Sequence, residues 1–225
     1  MNARWGETEG RVFRDREDAG DALAERLAAY QGKNALVLGI ARGGVVVAAQ
    51  LARRLDAELD VIVARKLGSP ISAELAIGAV TANGGQFLNE DIIRDMGVSD
   101  VYLNVVTAAQ RAEARRREVK FRGSRPPPRV AGRTVILVDD GLATGATMRA
   151  AVRSLRKGSP GRLIAAVPVG AREACAALRQ EVDELVCVHE PEFFGAVGAF
   201  YRDFRPTEDG EVTRLLEEFR APAPA

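Results

Sequence analysis

The sequence predicts an α/β fold: a doubly wound, mostly parallel sheet with a hairpin and helical insertion and a C-terminal hood. Short apolar runs alternate along the chain with segments whose apolar residues recur at helical spacing, which is the pattern of repeated strand–helix units. The run at 135–138 ends in two carboxylates and a turn rich in glycine and threonine. Ligands bind at such turns in open parallel sheets, so the sequence favours a ligand site at the carboxyl edge of the strands.

Composition places the chain among single-domain proteins without a strongly charged surface. It has 225 residues, 47% of them hydrophobic, and a net charge of +1, which suits one globular domain and gives no strong field toward nucleic acid or membranes. No apolar run reaches the roughly 18 residues of a transmembrane helix, and the N-terminus lacks the apolar core of a signal peptide. Cys175 and Cys187 lie in apolar-periodic stretches, so we expect reduced thiols in a cytoplasmic protein.

The domain is expected to cover 13–219, after a loose segment at 1–12 and before a disordered tail at 220–225. The predicted strands of its sheet are 35–40, 58–64, 135–138, 162–169 and 182–188. The predicted helices beside them are 15–30, 45–55, 148–157, 172–180 and 212–219. An insertion of about 76–128 holds a hairpin, with strands at 76–81 and 86–88 around an Asn-Gly turn, and helices at 90–96 and 101–121. The basic stretch at 111–133 lacks interleaved aromatic residues and is interpreted as a solvated helix face, so nucleic acid is not an expected partner.

The central turn combines carboxylates with a phosphate cradle. Asp139 and Asp140 end the buried run, and Gly141 and Gly145 let the backbone approach a ligand. The helix that follows presents N–H groups and the positive end of its dipole, which suit a phosphate. The carboxylates accept hydrogen bonds of the kind that a vicinal diol donates. This combination predicts a site for a ribose 5-phosphate.

Three other interpretations fit the central turn less well. A P-loop requires a lysine where the chain has Ala146. No Gly-x-Gly-x-x-Gly follows a predicted strand, so the dinucleotide fingerprint is absent from the sequence. An ordinary strand–helix turn stays open as an alternative, although two adjacent aspartates at a strand end cost folding free energy if they bind nothing.

Two further strand ends carry candidate anion sites. Strand 35–40 runs into a Gly-Gly turn and a helix, which is a second place where backbone N–H groups converge. Strand 58–64 is followed by Arg65 and Lys66, which fit either a solvated turn or a clamp on a pyrophosphate. The clamp is favoured because three such sites then meet at one edge of the sheet.

The stretch from Val138 to Thr147, Val-Asp-Asp-Gly-Leu-Ala-Thr-Gly-Ala-Thr, resembles the phosphoribosyl pyrophosphate motif of the type I phosphoribosyltransferases. The resemblance implies that Asp139 and Asp140 hold the ribose hydroxyls. It implies that the 5-phosphate binds to Ala143, Thr144, Gly145, Ala146 and Thr147. It implies a pyrophosphate loop, with a cis peptide between its first two residues, formed by Ala41, Arg42, Gly43 and Gly44.

The same resemblance implies an enzyme. The implied reaction is the Mg²⁺-dependent transfer of a 5-phosphoribosyl group from phosphoribosyl pyrophosphate to a nucleobase-like acceptor, with release of pyrophosphate, as in purine salvage. Mg²⁺ would be carried with the donor. The Arg65-Lys66 pair resembles the one that opens the mobile loop of adenine and orotate phosphoribosyltransferases. Members of the family are commonly dimers, so a homodimer is expected.

The segment after the two cations is a candidate lid. Gly68, Ser69 and Pro70 are its expected hinges, and its closure would exclude water from a reactive ribosyl cation. Glu74 lies in the same segment and is the candidate general base.

The predicted hood, at about 189–206, carries five of the chain's twelve aromatic residues. These rings either pack over the sheet edge or stack on a planar base. The segment is similar to the hood of hypoxanthine-type phosphoribosyltransferases, in which Phe193 or Phe194 would cover the acceptor and Asp203 would bind it, although the spacing differs by one residue. Those enzymes carry an aspartate where this chain has Ala143, which argues against a 6-oxopurine acceptor.

Two alternative functions stay open at this point. One is a regulator that senses phosphoribosyl pyrophosphate, and the other is transfer to a non-nucleobase acceptor such as an amine or a modified sugar. A sensor has no need to stabilise a departing pyrophosphate, so Arg65 and Lys66 favour catalysis. His189, the single histidine, is interpreted as structural rather than catalytic.

Overall fold

The computed structural model describes residues 12–72 and 75–219. The helices and strands follow one another as α1 (Arg16–Arg26), β1 (Leu36–Ile40), α2 (Gly43–Leu55), β2 (Glu58–Ile62), β3 (Ala64–Gly68), β4 (Ala76–Thr81), β5 (Gln86–Leu88), α3 (Glu90–Asp95), α4 (Asp100–Arg122), β6 (Thr134–Val138), α5 (Ala146–Arg156), β7 (Arg162–Val169), α6 (Arg172–Arg179), β8 (Glu184–His189) and α7 (Asp209–Glu218). Short 3₁₀ turns cover Ala28–Tyr30 and Val197–Phe200. The predicted tail and all but the last residue of the predicted loose N-terminus lie outside the described residues.

Five of these strands form one parallel sheet in the order β2-β1-β6-β7-β8. Alternate side chains of its strands point to opposite faces. One face packs on α1, α2, α4 and α7, and the other packs on α5 and α6. Helices therefore cover both faces, which explains why the strands are continuous apolar runs and confirms the predicted doubly wound sheet.

The strand order reverses between β1 and β6, because β2 lies on one side of β1 and the later strands lie on the other. The turns that follow β1 and β6 therefore leave the sheet side by side and in opposite directions. This topological switch point is where open α/β sheets bind their ligands. It brings together the two glycine-containing turns that the sequence predicted as anion sites.

A second, antiparallel sheet has the order β3-β4-β5. The predicted hairpin is confirmed as β4 and β5. One expectation was wrong: the strand predicted at 58–64 ends at Ile62, and Arg65 and Lys66 lie within β3, opposite Val80 and Ala79, rather than in a loop. The cause is a tertiary contact: β4 pairs with this segment through backbone hydrogen bonds, although the segment's own sequence is typical of a polar turn.

The helix bounds differ from the predictions at several ends. Asp15 caps α1 by accepting a hydrogen bond from the backbone N–H of Asp18, and α1 ends at Arg26 instead of running to residue 30. Helix α2 begins at Gly43, two residues earlier than predicted, so the Gly-Gly turn is itself the first helical turn. None of the helices in the described part of the chain is long and apolar enough to cross a membrane.

Candidate functional site

The turns after β1 and β6 are in direct contact. A Cβ atom placed on Gly43 would lie 2.0 Å from Asp140 Oδ2, and one placed on Gly44 would lie 2.9 Å from Asp139 Oδ1 and 2.8 Å from the carbonyl oxygen of Val138. Only glycine permits this approach. The peptide between Ala41 and Arg42 is cis, as predicted. The structure therefore brings the predicted pyrophosphate loop and the two carboxylates together at one place.

Both carboxylates are partly buried. Asp139 Oδ1 accepts a hydrogen bond of 2.9 Å from the backbone N–H of Asp140. Burial raises the pKa of Asp139 well above its ordinary value, the neighbouring charge of Asp140 adds to this rise, and the charges of Arg16 and Lys66 oppose it. Burial also raises the pKa of Asp140, against the opposing effect of Arg16. The pair thus forms an acidic, poorly solvated spot that favours a positive charge or hydroxyl donors.

Arg16 is a site residue that the sequence analysis missed. Its Nε and Nη2 atoms lie 2.9 and 2.8 Å from Asp140 Oδ2. Its Nη1 donates to the carbonyl oxygen of Arg205 at 2.9 Å, and its guanidinium lies 4.0 Å from the ring centre of Phe204. No local signal in the sequence indicates this role, because Arg16 opens an ordinary helix and Asp140 lies 124 residues away.

The turn at 141–147 is held by the neighbouring strand. The backbone N–H of Leu142 donates to the carbonyl oxygen of Val169 at 2.9 Å, and that of Ala171 donates to the carbonyl oxygen of Leu142 at 2.8 Å. Gly145 adopts φ of +76°, which glycine tolerates without steric cost, and α5 begins directly after it. Among the predicted phosphate-binding residues, Ala143 and Thr144 are exposed. The loop is therefore open to solvent at Ala143 and Thr144, whereas Gly145 and Ala146 at the start of α5 are buried.

The cations of β3 line a cleft of about 540 Å³ that extends to this turn. Its lining residues are Ala64, Arg65, Lys66, Gly68, Ser69, Tyr102, Val106, Gln110 and Thr147. Thr147 connects the cleft to the predicted 5-phosphate site, and the charge of Lys66 acts on Asp139. Arg65 Nε donates to Gln110 Oε1 at 3.0 Å, and burial lowers the pKa of Arg65.

The predicted lid begins as an ordered turn. The Ser69 hydroxyl donates to the carbonyl oxygen of Ser72 at 3.0 Å, and the Tyr102 hydroxyl donates to the carbonyl oxygen of Gly68 at 2.9 Å. These bonds hold Gly68 and Ser69, two of the three residues that were expected to act as hinges. Glu74, the candidate general base, lies outside the described residues.

The hood is anchored on the central turn. The Tyr201 hydroxyl donates to the carbonyl oxygen of Asp140 at 2.6 Å, and a Cβ on Gly141 would lie 2.4 Å from Val197 Cγ1. Neither contact was expected from the sequence. The hood therefore packs against the same strand end that carries the carboxylates.

The predicted acceptor-binding residues are in different environments. Phe194 stacks on Phe200 with ring centres 5.5 Å apart and packs in the hood's apolar cluster, whereas Phe193 is 85% exposed. Asp203 pairs with Arg205 at 2.6 Å. The sequence left two roles open for these rings, packing over the sheet edge and stacking on a planar base. Phe194 packs over the sheet edge, whereas the ring of Phe193 is open to solvent.

His189 and Cys187 lie on the edge strand β8, and Cys175 lies on α6. His189 packs edge-on against Phe200, burial lowers the pKa of His189, and its buried Nε2 has no hydrogen-bond partner within residues 12–72 and 75–219. Both cysteines are free. Their sulfurs and a carboxylate oxygen of Glu190 lie within 4.8 Å of one another, but Glu190 is already ion-paired with Arg179.

Comparison with known proteins agrees with this geometry. Residues 14–205 match the family model described as phosphoribosyl transferase domain. Two Mycobacterium tuberculosis proteins named provisionally as phosphoribosyl transferases, MT0597 of strain CDC 1551 and Rv0571c of strain H37Rv, are 42% identical over 207 residues. The match covers 92% of this chain and 47% of each relative, so the chain spans about half the length of the curated relatives it matches.

A solved structure extends the comparison to the fold. The crystal structure of TT1426 from Thermus thermophilus is similar to this chain with a TM-score of 0.79 and 43% sequence identity, over 93% of this chain and all of that one. The family match includes both strand-end turns and the small antiparallel sheet. From the carboxylates at the switch point, the glycine loop packed against them and these comparisons, we conclude that the chain belongs to the phosphoribosyl transferase domain family.

Proposed function

We propose that the protein transfers the 5-phosphoribosyl group of phosphoribosyl pyrophosphate to an acceptor and releases pyrophosphate. The observation that carries this proposal is the contact between Gly43 and Asp140, which joins an anion loop to a diol-binding carboxylate at the switch point of the sheet. A donor with a phosphate, a ribose diol and a pyrophosphate requires three such subsites in one place. Family membership supports the same reaction class.

In the proposed mechanism, Asp139 and Asp140 accept hydrogen bonds from the ribose hydroxyls. The backbone of 143–147 binds the 5-phosphate at the start of α5. The bond between C1 of the ribose and the pyrophosphate oxygen breaks as the acceptor forms its bond to C1, so that positive charge develops on the ribose. In this proposal the two carboxylates, in their ionised form, lie beside this charge and stabilise it.

The departing pyrophosphate needs positive charge on its own side of the ribose. Backbone N–H groups of 42–44 and the cations Arg65 and Lys66 supply it in this proposal, and Mg²⁺ arrives with the donor as part of the substrate. The side chain of Arg42 is directed elsewhere, since it lies 3.6 Å from Asp209. We therefore assign to Arg42 only its backbone N–H.

The acceptor is proposed to bind between the carboxylates and the hood. A nucleobase would stack on the open face of Phe193 and bind Asp203, and purine salvage is the corresponding role. Two observations favour a non-nucleobase acceptor as second candidate: Phe194 is occupied by packing, and Asp203 is paired with Arg205. A polar acceptor such as an amine would not need an aromatic clamp.

The test is pyrophosphate release in the presence of Mg²⁺, phosphoribosyl pyrophosphate and a panel of nucleobases, amines and sugars. Release that depends on one acceptor and is lost in Asp139→Asn/Asp140→Asn supports the proposal and identifies the acceptor. Tight donor binding without release would instead support a sensing regulator. Absence of donor binding would overturn the proposed function.

Two parts of the proposal have separate tests. Glu74→Gln should lower turnover at saturating substrate if Glu74 is the general base, and unchanged turnover removes it. The homodimer and the cytoplasmic location expected from the sequence stay predictions, and light scattering of the purified chain tests the first.

A further inference from the structure

The two nitrogen contacts that Arg16 makes with Asp140 both end on one oxygen, Oδ2. The Arg16 and Asp140 side chains are 11% and 17% exposed, so this ion pair is shielded from solvent. An arginine that donates from Nε and places Nη2 against the same oxygen restrains the position of that oxygen. Oδ1 of Asp140 is then left for a ribose hydroxyl.

The guanidinium of Arg16 is itself held from the hood. It stacks on Phe204 and donates to the carbonyl oxygen of Arg205. The hood in turn bonds to the backbone of Asp140 through the Tyr201 hydroxyl. Helix α1, the hood and the end of β6 thus meet at one carboxylate.

We propose that Arg16 is a positioning residue for the donor: it holds Asp140 in the orientation that binds the ribose hydroxyls and connects this carboxylate to the hood. This inference rests on the proposed function and adds to it a residue from α1. Arg16 itself does not contact the reacting atoms.

The electrostatic surroundings explain why such a residue is needed. Asp139 and Asp140 are adjacent and poorly solvated, and the charge of Asp140 disfavours the ionisation of Asp139. The titratable and charged groups that surround the two carboxyls come from several elements. Arg16 of α1 and Lys66 of β3 interact electrostatically with the aspartate pair, and the pair interacts in turn with the Tyr201 hydroxyl of the hood. Arg16 is the cation in direct contact with Asp140 among the described residues.

The test compares Arg16→Met and Arg16→Lys with a matched control, Arg14→Met. Arg14 also pairs with an aspartate, Asp18, but its side chain is 70% exposed. We expect Arg16→Met to raise the KM for phosphoribosyl pyrophosphate by about tenfold or more with a smaller change in kcat, and to shift the acidic limb of the pH profile upward. Arg16→Lys should raise the KM less than Arg16→Met does, since lysine retains the positive charge but not the planar guanidinium. Arg14→Met should behave as wild type.

A double-mutant cycle separates positioning from mere structural support. If Arg16 acts through Asp140, adding Arg16→Met to Asp140→Asn should change the KM by less than about twofold. Equal losses in both backgrounds, or an unmoved pH profile, would overturn the inference. Urea unfolding of each variant shows whether a loss reflects destabilisation.

A readout without turnover keeps this inference distinct from the proposed function. A carbon NMR titration of the aspartate carboxyls in the ligand-free protein should show the Asp140 carboxyl titrating at higher pH in Arg16→Met than in wild type. An unchanged titration overturns the role of Arg16 even if the enzyme is active. Failure of wild type to bind phosphoribosyl pyrophosphate overturns the proposed function even if the titration shifts.

Discussion

Gly43 packs directly against the carboxylate of Asp140, so closely that a Cβ atom at this position would come within 2.0 Å of Oδ2 and 2.8 Å of Arg16 Nε. The two residues lie on turns after different strands of the central sheet. Their contact means that the anion loop and the carboxylate pair form a single unit, in which a displacement of one displaces the other.

The first prediction concerns this contact. Gly43→Ala should weaken binding of phosphoribosyl pyrophosphate by about a hundredfold, because the added methyl group must push Asp140 away from Arg16 and from its proposed place beside the ribose. Isothermal calorimetry with the Mg²⁺–donor complex measures the change. Gly210→Ala is the matched control, since a Cβ there meets no atom within 4 Å. Wild-type affinity in Gly43→Ala would contradict the packing described here.

The second prediction concerns stability and pH. The pKa of Asp139 is raised in the folded protein, so its contribution favours folding below the unfolded pKa of about 3.9 and is lost as the pH rises through the folded pKa. Asp139→Asn should therefore stabilise the fold at pH 7 by about 1–2 kcal/mol while abolishing turnover. The gain should vanish in acid. Urea unfolding across pH tests both statements.

Asp209 provides the opposite control for that experiment. The hydrogen bond from Lys120 holds the pKa of Asp209 below its ordinary value, against a smaller opposing effect of burial. Its stabilisation is present above the unfolded pKa and is lost as the pH falls through the folded pKa. Asp209→Asn should lower the free energy of unfolding slightly at pH 7, since the pair with Lys120 is partly solvated. A higher free energy of unfolding in Asp209→Asn would show that the stabilisation by Asp139→Asn is not specific to a buried carboxylate.

The third prediction separates catalysis from sensing. Lys66→Met should lower kcat by about a hundredfold, because in the proposed mechanism Lys66 stabilises the charge of the leaving pyrophosphate in the transition state. Donor affinity should fall less, and stopped-flow detection of pyrophosphate measures the difference. Lys33→Met, on the exposed surface before β1, serves as control. If Lys66→Met lowers the affinity for the donor but leaves kcat unchanged, the result would favour a regulator that senses the donor.

The fourth prediction concerns the acceptor. Phe193→Ala should raise the KM for the acceptor severalfold without a change in unfolding midpoint, because the Phe193 ring is 85% exposed. Phe194→Ala should lower the free energy of unfolding by about 2–4 kcal/mol, since it removes a packed ring. If Phe193→Ala leaves every acceptor's KM unchanged, an aromatic-stacked acceptor is excluded.

The fifth prediction concerns a buried ion-pair network away from the site. Arg122 pairs with Asp60 at 2.8 Å and Glu118 at 3.2 Å, and donates to the carbonyl oxygen of Val61. Arg122→Met should destabilise the fold by about 3–5 kcal/mol, because two carboxylates stay buried without their partner. Arg116→Met should have little effect, as the Arg116 side chain in its pair with Glu113 is 66% exposed. Activity per folded molecule should be retained in both variants.

Much of the fold could be predicted because strands that are buried on both faces of a sheet are continuous apolar runs in the sequence. Strand β7 was predicted with its observed bounds, and the Gly-Gly turn was assigned to an anion loop from its position between a strand and a helix. Errors arose where a segment depends on a distant partner. Residues 64–68 form a strand because β4 pairs with them, and no periodicity within five residues can show that.

The sequence by itself determined the parallel sheet, the order of the strand–helix units and the loops that follow β1 and β6. Strand burial, glycine backbone freedom and helix starts are encoded within a few neighbouring residues. Only the tertiary structure decided that Gly43 packs on Asp140, that Arg16 holds its carboxylate from 124 residues away, and that Tyr201 bonds to its backbone. These contacts join separate elements, and apolar periodicity specifies which residues are buried but not which polar groups meet.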